Sequence, residues 1–581
     1  MTGYAQLWRA APGKWGAAGA AWRGLADPVR RRRAALTDCA ATLRADWSGG
    51  AAGAADGRLD ALRGELTALL PALIEADQVL AEFAGRLRVA KARLAEAVAL
   101  ADRTGVLVDR LGRVSAAPPS APTWAGPEAG VLPGAGLRSG APPGGRSLPG
   151  GRTGSGPGAM PGLGAGADIG AAAGPGGRAG PLALDQVAAA LRDALALADA
   201  ADREAAARLD ELSAAARGGW ADPPPPGRPP ADADPATVRA WWAGLTPAQR
   251  RWLVRHEPGR VGRLDGVPVA ARDVANRLLL DDRREALLTA RRELLGRPAP
   301  GPAEWAGLRR LDAGLAGLDG LAGRLTTAEP PRSYLLGLDP TGDGRAIVAL
   351  GNPDRADRVL TYVPGMTTDL ADAPAELGRA GRVLSRCAGL APGRETAAVL
   401  WLDYDAPDFL PEAARPSQAG DAGPALHRFQ EGLRATHEGA PARQTVLGHS
   451  YGSLVVGTAA RDHGLDADAL VFVGSPGVGV DRAEALRLPP ERVWASTAPD
   501  DVIRLVEPPG QLTGRAVLAA SPLATAVSLL RPDDHELWFG HDPSDPGFGG
   551  RTFPSGRYGH TGYWEAGNPA LDGMARIVLG R

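Results

Sequence analysis

Residues Thr445–Ser453 read TVLGHSYGS, an apolar run that ends in a serine with a glycine two positions to either side. In a chain with 79 glycines the pattern carries little weight by itself. Residue frequencies alone predict roughly 0.3 chance matches to G-x-S-x-G over this length. Context decides the matter: RQTVLGHSYGSLVVGTAARDHG predicts a buried strand over Thr445–Leu447, a sharp turn, and a helix over Gly452–Arg461. Gly448 and Gly452 then have a steric duty, because side chains there would meet neighbouring backbone in so tight a turn. Ser450 stands at the apex, a candidate nucleophile whose bland alternative is a helix cap.

Working outward, short apolar or β-branched runs recur at Tyr334–Leu338, Ala346–Leu350, Val359–Val363, Ala397–Leu402, Ala469–Val473 and Arg492–Ala495. After Val363 they alternate with helical stretches, which predicts an α/β domain over 331–581 built on a mostly parallel, doubly wound sheet. In such a sheet ligands sit beyond the carboxyl ends of the strands. The first two runs, joined by DPTGDGR, predict an antiparallel hairpin at the sheet edge.

The rest of the chain is mainly helical in pattern. From Leu59 to Ala97 apolar residues follow an unbroken 3-4-3-4 spacing, with Gly64, Pro71 and Gly85 as expected points of bending. A shorter helix over Pro28–Ala45 precedes it. The two predict an antiparallel hairpin over residues 1–113 whose seam packs on itself or on a helical partner. Residues 114–181 are Pro, Gly, Ala and Ser with few apolar side chains, the composition of a disordered linker. A helical region over 182–330 follows, with Trp241, Trp242, Leu245, Trp252 and Leu253 at core-like spacing.

Composition excludes several classes of function. The balance of 65 Lys+Arg against 66 Asp+Glu gives no electrostatic reason to bind nucleic acid or an anionic membrane. Cys39 and Cys387 lack metal-ligand or disulfide spacing, so both read as small buried residues, and no metal or organic cofactor is expected. The first residues lack the apolar core of a signal peptide and no transmembrane run occurs, which predicts a cytoplasmic protein.

Helix, then Trp47-Ser48-Gly49, then a longer heptad helix resembles the WXG-type hairpins associated with type VII secretion. The resemblance implies that Trp47 packs across the turn and Gly49 permits it. The Tyr-x-x-x-Asp/Glu export signal of such proteins is missing, and ADRTGVLVDR stands in its place.

Four further stretches, YVPGMTT, GHSYGS, APDDVI and GHTGYW, together with GRLDGVPVAARDVANR, resemble an actinobacterial branch of the α/β-hydrolases known as a domain of unknown function. The likeness covers about residues 235–581. It implies an α/β-hydrolase fold in which an acid and a histidine follow the serine in chain order. Of eight histidines this leaves His535, His541 and His560, and the Gly-rich loop before the last helix favours His560. Asp501 is the preferred acid, since Asp501-Val502-Ile503 looks like the family's acid loop, with Asp500 as alternative. Tyr451, which follows the nucleophile, and Met366, set close to substrate by Gly365, are the implied oxyanion donors, while Asp372 is expected to cap the next helix.

These residues together imply a serine hydrolase, esterase- or lipase-like, acting on a small or lipid-like ester, with thioester and amide as further candidates. The alternative is an interaction or type VII secretion-associated protein whose hairpin binds a partner while the hydrolase core serves as scaffold. Haloperoxidase-type or lyase chemistry on the same fold is a third expectation.

Overall fold

The computed structural model describes residues 3–116, 180–505 apart from 221, 231, 298–300, 328–329, 343 and 409, and 536–581. The linker expectation falls almost wholly outside them, as does His535. At its near end, however, Val114–Ala116 is a strand.

The chain opens with helices α1 (Tyr4–Arg9), α2 (Pro12–Gly24), α3 (Ala26–Asp46) and α4 (Gly50–Thr104), then the hairpin β1 (Val106–Val108) and β2 (Val114–Ala116). Beyond residue 180 come α5 (Pro181–Arg217), α6 (Pro235–Gly244), α7 (Pro247–His256), α8 (Pro258–Arg263), α9 (Val269–Leu295) and α10 (Pro302–Thr326). All of these but α9 begin with proline, whose fixed φ suits the first helical position and whose missing N–H is not needed there. The α/β layer then runs β3 (Ser333–Asp339), β4 (Arg345–Leu350), β5 (Arg358–Val363), α11 (Ala373–Leu390), β6 (Thr396–Leu402), α12 (Leu410–Ala413) and α13 (Ser417–Thr436). It continues with β7 (Arg443–His449), α14 (Tyr451–Asp462), β8 (Ala469–Val473) and β9 (Val493–Ser496). After residue 535 come β10 (Glu536–Leu537), β11 (Gly540–His541), β12 (Arg551–Thr552) and α15 (Pro569–Leu579).

The main sheet has the order β12-β9-β8-β7-β5-β6-β4-β3, parallel from β12 to β6 and antiparallel at β4 and β3. Alternate side chains enter two cores: Val359, Val363 and Val446 pack toward Phe429 and Leu454, whereas Leu360, Tyr362 and Leu447 pack toward Leu377 and Ile577. Connections leave β5 toward β6 and β7 toward β8, in opposite directions. The crevice at their carboxyl ends is therefore the topological switch point, where open α/β sheets place ligands.

The edge strand β3 is covered by side chains of α9. Its free Leu335 N–H donates to Asp273 Oδ1 at 2.7 Å, and Asn276 Nδ2 donates to the Leu335 carbonyl at 3.1 Å. Arg272 Nε bonds the Leu336 carbonyl and Arg277 the Ser333 carbonyl, both at 2.8 Å. A register shift between Leu335 and Gly337 turns successive carbonyls to this side. This is the physical meaning of GRLDGVPVAARDVANR: one helix face replaces a neighbouring strand and blocks edge-to-edge association. Gly262 is required because a side chain there would overlap Asn276.

The helical layer is fastened to the same edge by buried charges. Arg332, just ahead of β3, bridges Asp77 of α4 at 2.6 Å and Asp273 at 2.9 Å. Gln78 donates to Asp273 at 2.7 Å. Tyr334 and Asn352 donate to Glu82 at 3.0 and 3.2 Å. Burial works to raise the Glu82 carboxyl, yet Arg208 and Arg355 hold it down at about 2.

Several expectations for the front need correction. Helix α4 is one 55-residue element that includes Gly64, Pro71 and Gly85, and it buries Leu70, Leu73 and Ile74 next to the proline. Helix α3 buries only Ala26 and Ala40, and the seam residues Leu87, Leu94 and Ala97 are covered instead by Val187, Leu191, Ala194 and Ala198 of α5. Cys39 is exposed on that sparsely packed α3, while Cys387 is buried and its thiol is pushed up to about 12 by burial. Trp47 is 45% exposed rather than packed across its turn, although Gly49 has the positive φ of 111° that the turn demands. Trp242 is core, as its spacing predicts. Among the described residues no helix is long and apolar enough to cross a membrane.

Replacing Asp273 by Ala leaves Arg277, Arg332 and the Leu335 N–H without their shared buried acceptor. Urea unfolding should show a loss of about 3–5 kcal/mol, against less than about 0.5 kcal/mol for the exposed Trp305→Ala.

Candidate active site

Strand β7 delivers Ser450 to the switch point at φ 53° and ψ −130°, a conformation a non-glycine residue holds only when its surroundings fix it. They do so here. A side chain at Gly448 would come within 2.6 Å of the Gly452 carbonyl, and one at Gly452 would overlap the Val363 and Pro364 carbonyls. Ser450 N donates to the Val473 carbonyl at 3.1 Å, and the Ser453 hydroxyl to the Gly448 carbonyl at 3.0 Å. Both turn glycines are thus required by close backbone approach.

His560 lies on the loop after β12, with Nε2 at 3.0 Å from Ser450 Oγ. Its Nδ1 is 2.8 Å from Asp501 Oδ1. A carboxylate accepts only, so Nδ1 carries the proton, leaving Nε2 to accept from the serine hydroxyl. The two acid candidates separate cleanly. Asp501 is buried against the imidazole, whereas Asp500 is exposed and accepts from the Gly559 N–H at 3.2 Å. His541, weighed for the same role, contacts Asp545 at 3.1 Å.

Burial works to raise the Asp501 carboxyl, but hydrogen bonds from His560, Tyr563 and the Ile503 N–H hold it below the usual carboxylate range. Gly474 completes the fit at the end of β8, where a side chain would stand 2.9 Å from Asp501 Oδ2 and 3.2 Å from the His560 ring. No sequence pattern pointed to it.

Two further side chains escaped the sequence reading. The Tyr563 hydroxyl donates to Asp501 Oδ2 at 2.5 Å and accepts from the Ala498 N–H at 2.9 Å. The His449 ring lies between those of His560 and Trp564, with centroids 4.9 and 5.0 Å away, and its Nε2 is 2.9 Å from the His560 carbonyl. That carbonyl only accepts, so Nε2 carries a proton. Burial first, then nearby His560, push the His449 imidazole down to about 3.

The expected oxyanion segment lies against the serine. A side chain at Gly365 would fall 2.7 Å from Ser450 Cβ. Tyr404 donates to the Pro364 carbonyl at 2.7 Å, and Thr367, at φ 60°, donates its N–H to the Pro407 carbonyl at 2.8 Å, so Met366 sits on a loop held at both sides. Tyr451 is the first residue of α14, where backbone N–H groups lack helical partners. Asp372 does stand before α11, but its carboxylate accepts from the Asp369 N–H at 3.3 Å rather than capping the helix. Among the described residues no cluster of His, Cys, Asp or Glu could hold a metal ion.

A family model described as alpha/beta hydrolase matches residues 339–511. The uncharacterized protein Rv2079 of Mycobacterium tuberculosis is 32% identical over 381 residues, 61% of this chain and 56% of that protein. The uncharacterized protein Rv0963c of the same organism is 33% identical over 177 residues, 29% of this chain and 66% of that one. The chain thus spans somewhat more than half the length of the curated relatives it matches. A hyperthermophilic esterase from Pyrobaculum calidifontis aligns with 52% of this chain and 96% of its own at 14% identity and a TM-score of 0.26. Behind its helical front, the chain has the α/β-hydrolase fold.

Because His449 is neutral when folded and titrates near pH 6.5 when unfolded, the unfolded chain gains a proton that the native state refuses as pH falls. Its contribution to stability is full above about pH 6.5 and is lost from there toward about pH 3. Thermal unfolding of His449→Asn should therefore show a visibly flatter pH dependence than wild type between about pH 6.5 and 4. Parallel curves would place the ring in a solvated setting.

Proposed function

We propose that the protein is a serine hydrolase that cleaves esters through an acyl-enzyme. The observation that carries this is the unbroken line from Ser450 Oγ through His560 to Asp501, at 3.0 and 2.8 Å, set at the switch point of the sheet. A serine hydroxyl is a weak nucleophile at neutral pH and needs a base within reach. In the proposed reaction His560 Nε2 takes the hydroxyl proton as Oγ bonds to the ester carbonyl carbon. The oxyanion is held by the N–H groups of Tyr451 and Met366. Collapse of the tetrahedral adduct breaks the bond to the alkoxy group, which leaves as an alcohol with the proton from His560. Water, deprotonated by the same nitrogen, then releases the acid and restores Ser450. Asp501 stays ionised throughout and stabilises the imidazolium.

The partner-binding alternative has less support. The buried half of the α4 seam is already occupied by α5, and α4 itself is tied by Asp77 and Glu82 to the α/β layer. A helical front engaged in this way favours an integral part of a hydrolase over a free docking hairpin.

Hydrolysis of p-nitrophenyl butyrate by folded variants tests the proposal. Ser450→Ala and His560→Ala should each lower kcat/KM by about a thousandfold or more, and Asp501→Asn by about a hundredfold or more. Asp500→Asn, which keeps an acceptor for the Gly559 N–H, should remain within about threefold. Wild-type rates in Ser450→Ala would overturn the assignment.

A further inference from the structure

We propose that Tyr563 is a positioning residue that holds the Asp501 carboxylate and thereby sets the pH at which His560 becomes a free base. This rests on the hydrolase proposal above and assigns its proton-transfer chemistry one further residue.

The two carboxylate oxygens of Asp501 have different partners. Oδ1 accepts from His560 Nδ1 at 2.8 Å and from the Ile503 N–H at 2.9 Å. Oδ2 takes the Tyr563 hydroxyl at 2.5 Å. A phenol in that position has two rotational choices for its proton, and the Ala498 N–H removes one of them. By donating to the phenol oxygen at 2.9 Å, that amide obliges the hydroxyl to donate onward to the carboxylate. Tyr563 is fully buried, so no solvent competes for the bond.

The consequence follows from electrostatics. A hydroxyl that donates to a carboxylate draws off part of its negative charge and weakens its attraction for an imidazolium on the other oxygen. With the hydroxyl in place, His560 loses its proton at lower pH than it would beside a bare carboxylate.

Other groups face His560 as well. Asp501 and Asp500 stand on the acid loop, the second bonded to the Gly559 N–H. His449 stands at the end of β7, neutral and bonded to the His560 carbonyl. Behind Trp564, the Arg379 guanidinium of α11 lies 5.2 Å from the indole centroid and is paired with Glu376 at 2.6 Å. None of these groups hydrogen-bonds Oδ2 of the acid, which takes the Tyr563 hydroxyl.

The test uses the full-length protein with two changes at one position, Tyr563→Phe and replacement of Tyr563 by 3-fluorotyrosine, a nearly isosteric and stronger donor. Two readouts are followed from about pH 5 to 9: the His560 ring by NMR titration, and the rate of labelling by a fluorophosphonate. Tyr563→Phe should move both the titration and the acid limb of labelling upward by about 0.5–1 pH unit. The fluorinated side chain should move both downward, while the high-pH labelling rate stays within a few-fold of wild type. A merely structural role predicts a lower plateau with neither midpoint displaced. Midpoints unchanged in the folded fluorotyrosine protein would overturn the inference even if Tyr563→Phe fails to fold. A wild-type protein that is never labelled would instead remove the hydrolase proposal, while the NMR midpoints would still decide the role of Tyr563.

Discussion

The carbonyl oxygens of Val363 and Pro364 occupy the space that a side chain at residue 452 would need, and the site depends on that approach. It presses the loop after β5 against the turn after β7, two neighbouring parallel strands whose chains depart in opposite directions. One compression thereby holds Ser450 at its positive φ and lays Gly365 beside Ser450 Cβ. It also brings Met366 and the amino end of α14 to the same crevice. Strain at one residue is tolerable because rigid strands on both sides fix it.

A second fastening holds the far edge of the sheet. Asp273, Asn276, Arg272 and Arg277 of α9 take up the free polar groups of β3, and Arg332 ties that edge to Asp77 of α4. Buried ion pairs of this kind add little net stability but are costly to break, so they favour one arrangement of helices over others. The helical front and the α/β layer consequently act as one packed body along β3.

What could be read from the sequence was whatever depended on neighbours in the chain. The strand, turn and helix around Ser450 declared themselves because glycine spacing and apolar runs are local signals, and the β5, β6 and β8 runs did so for the same reason. Asp500 and Asp501 could not be separated, because adjacent residues on one turn differ only in where three-dimensional geometry aims them. Tyr563 and His449 were overlooked for related reasons. An aromatic beside Trp564 reads as core, and a histidine preceding the serine is set aside as a base by chain order, although its role is toward the His560 backbone. The cover of the α4 seam was hidden because α5 lies some eighty residues further on, beyond a segment without periodic pattern. Trp47 shows the opposite limit, since a short motif suggested a packed turn that these particular neighbours do not build.

The central claim is that Ser450 is an activated nucleophile, and the most direct measurement is to locate the residue modified when the folded protein meets a fluorophosphonate. Peptide mass spectrometry should find one adduct, on Ser450, and none after prior denaturation, because a serine loses its base once the fold is lost. An adduct on a different serine, or a folded protein left unmodified, would contradict the account.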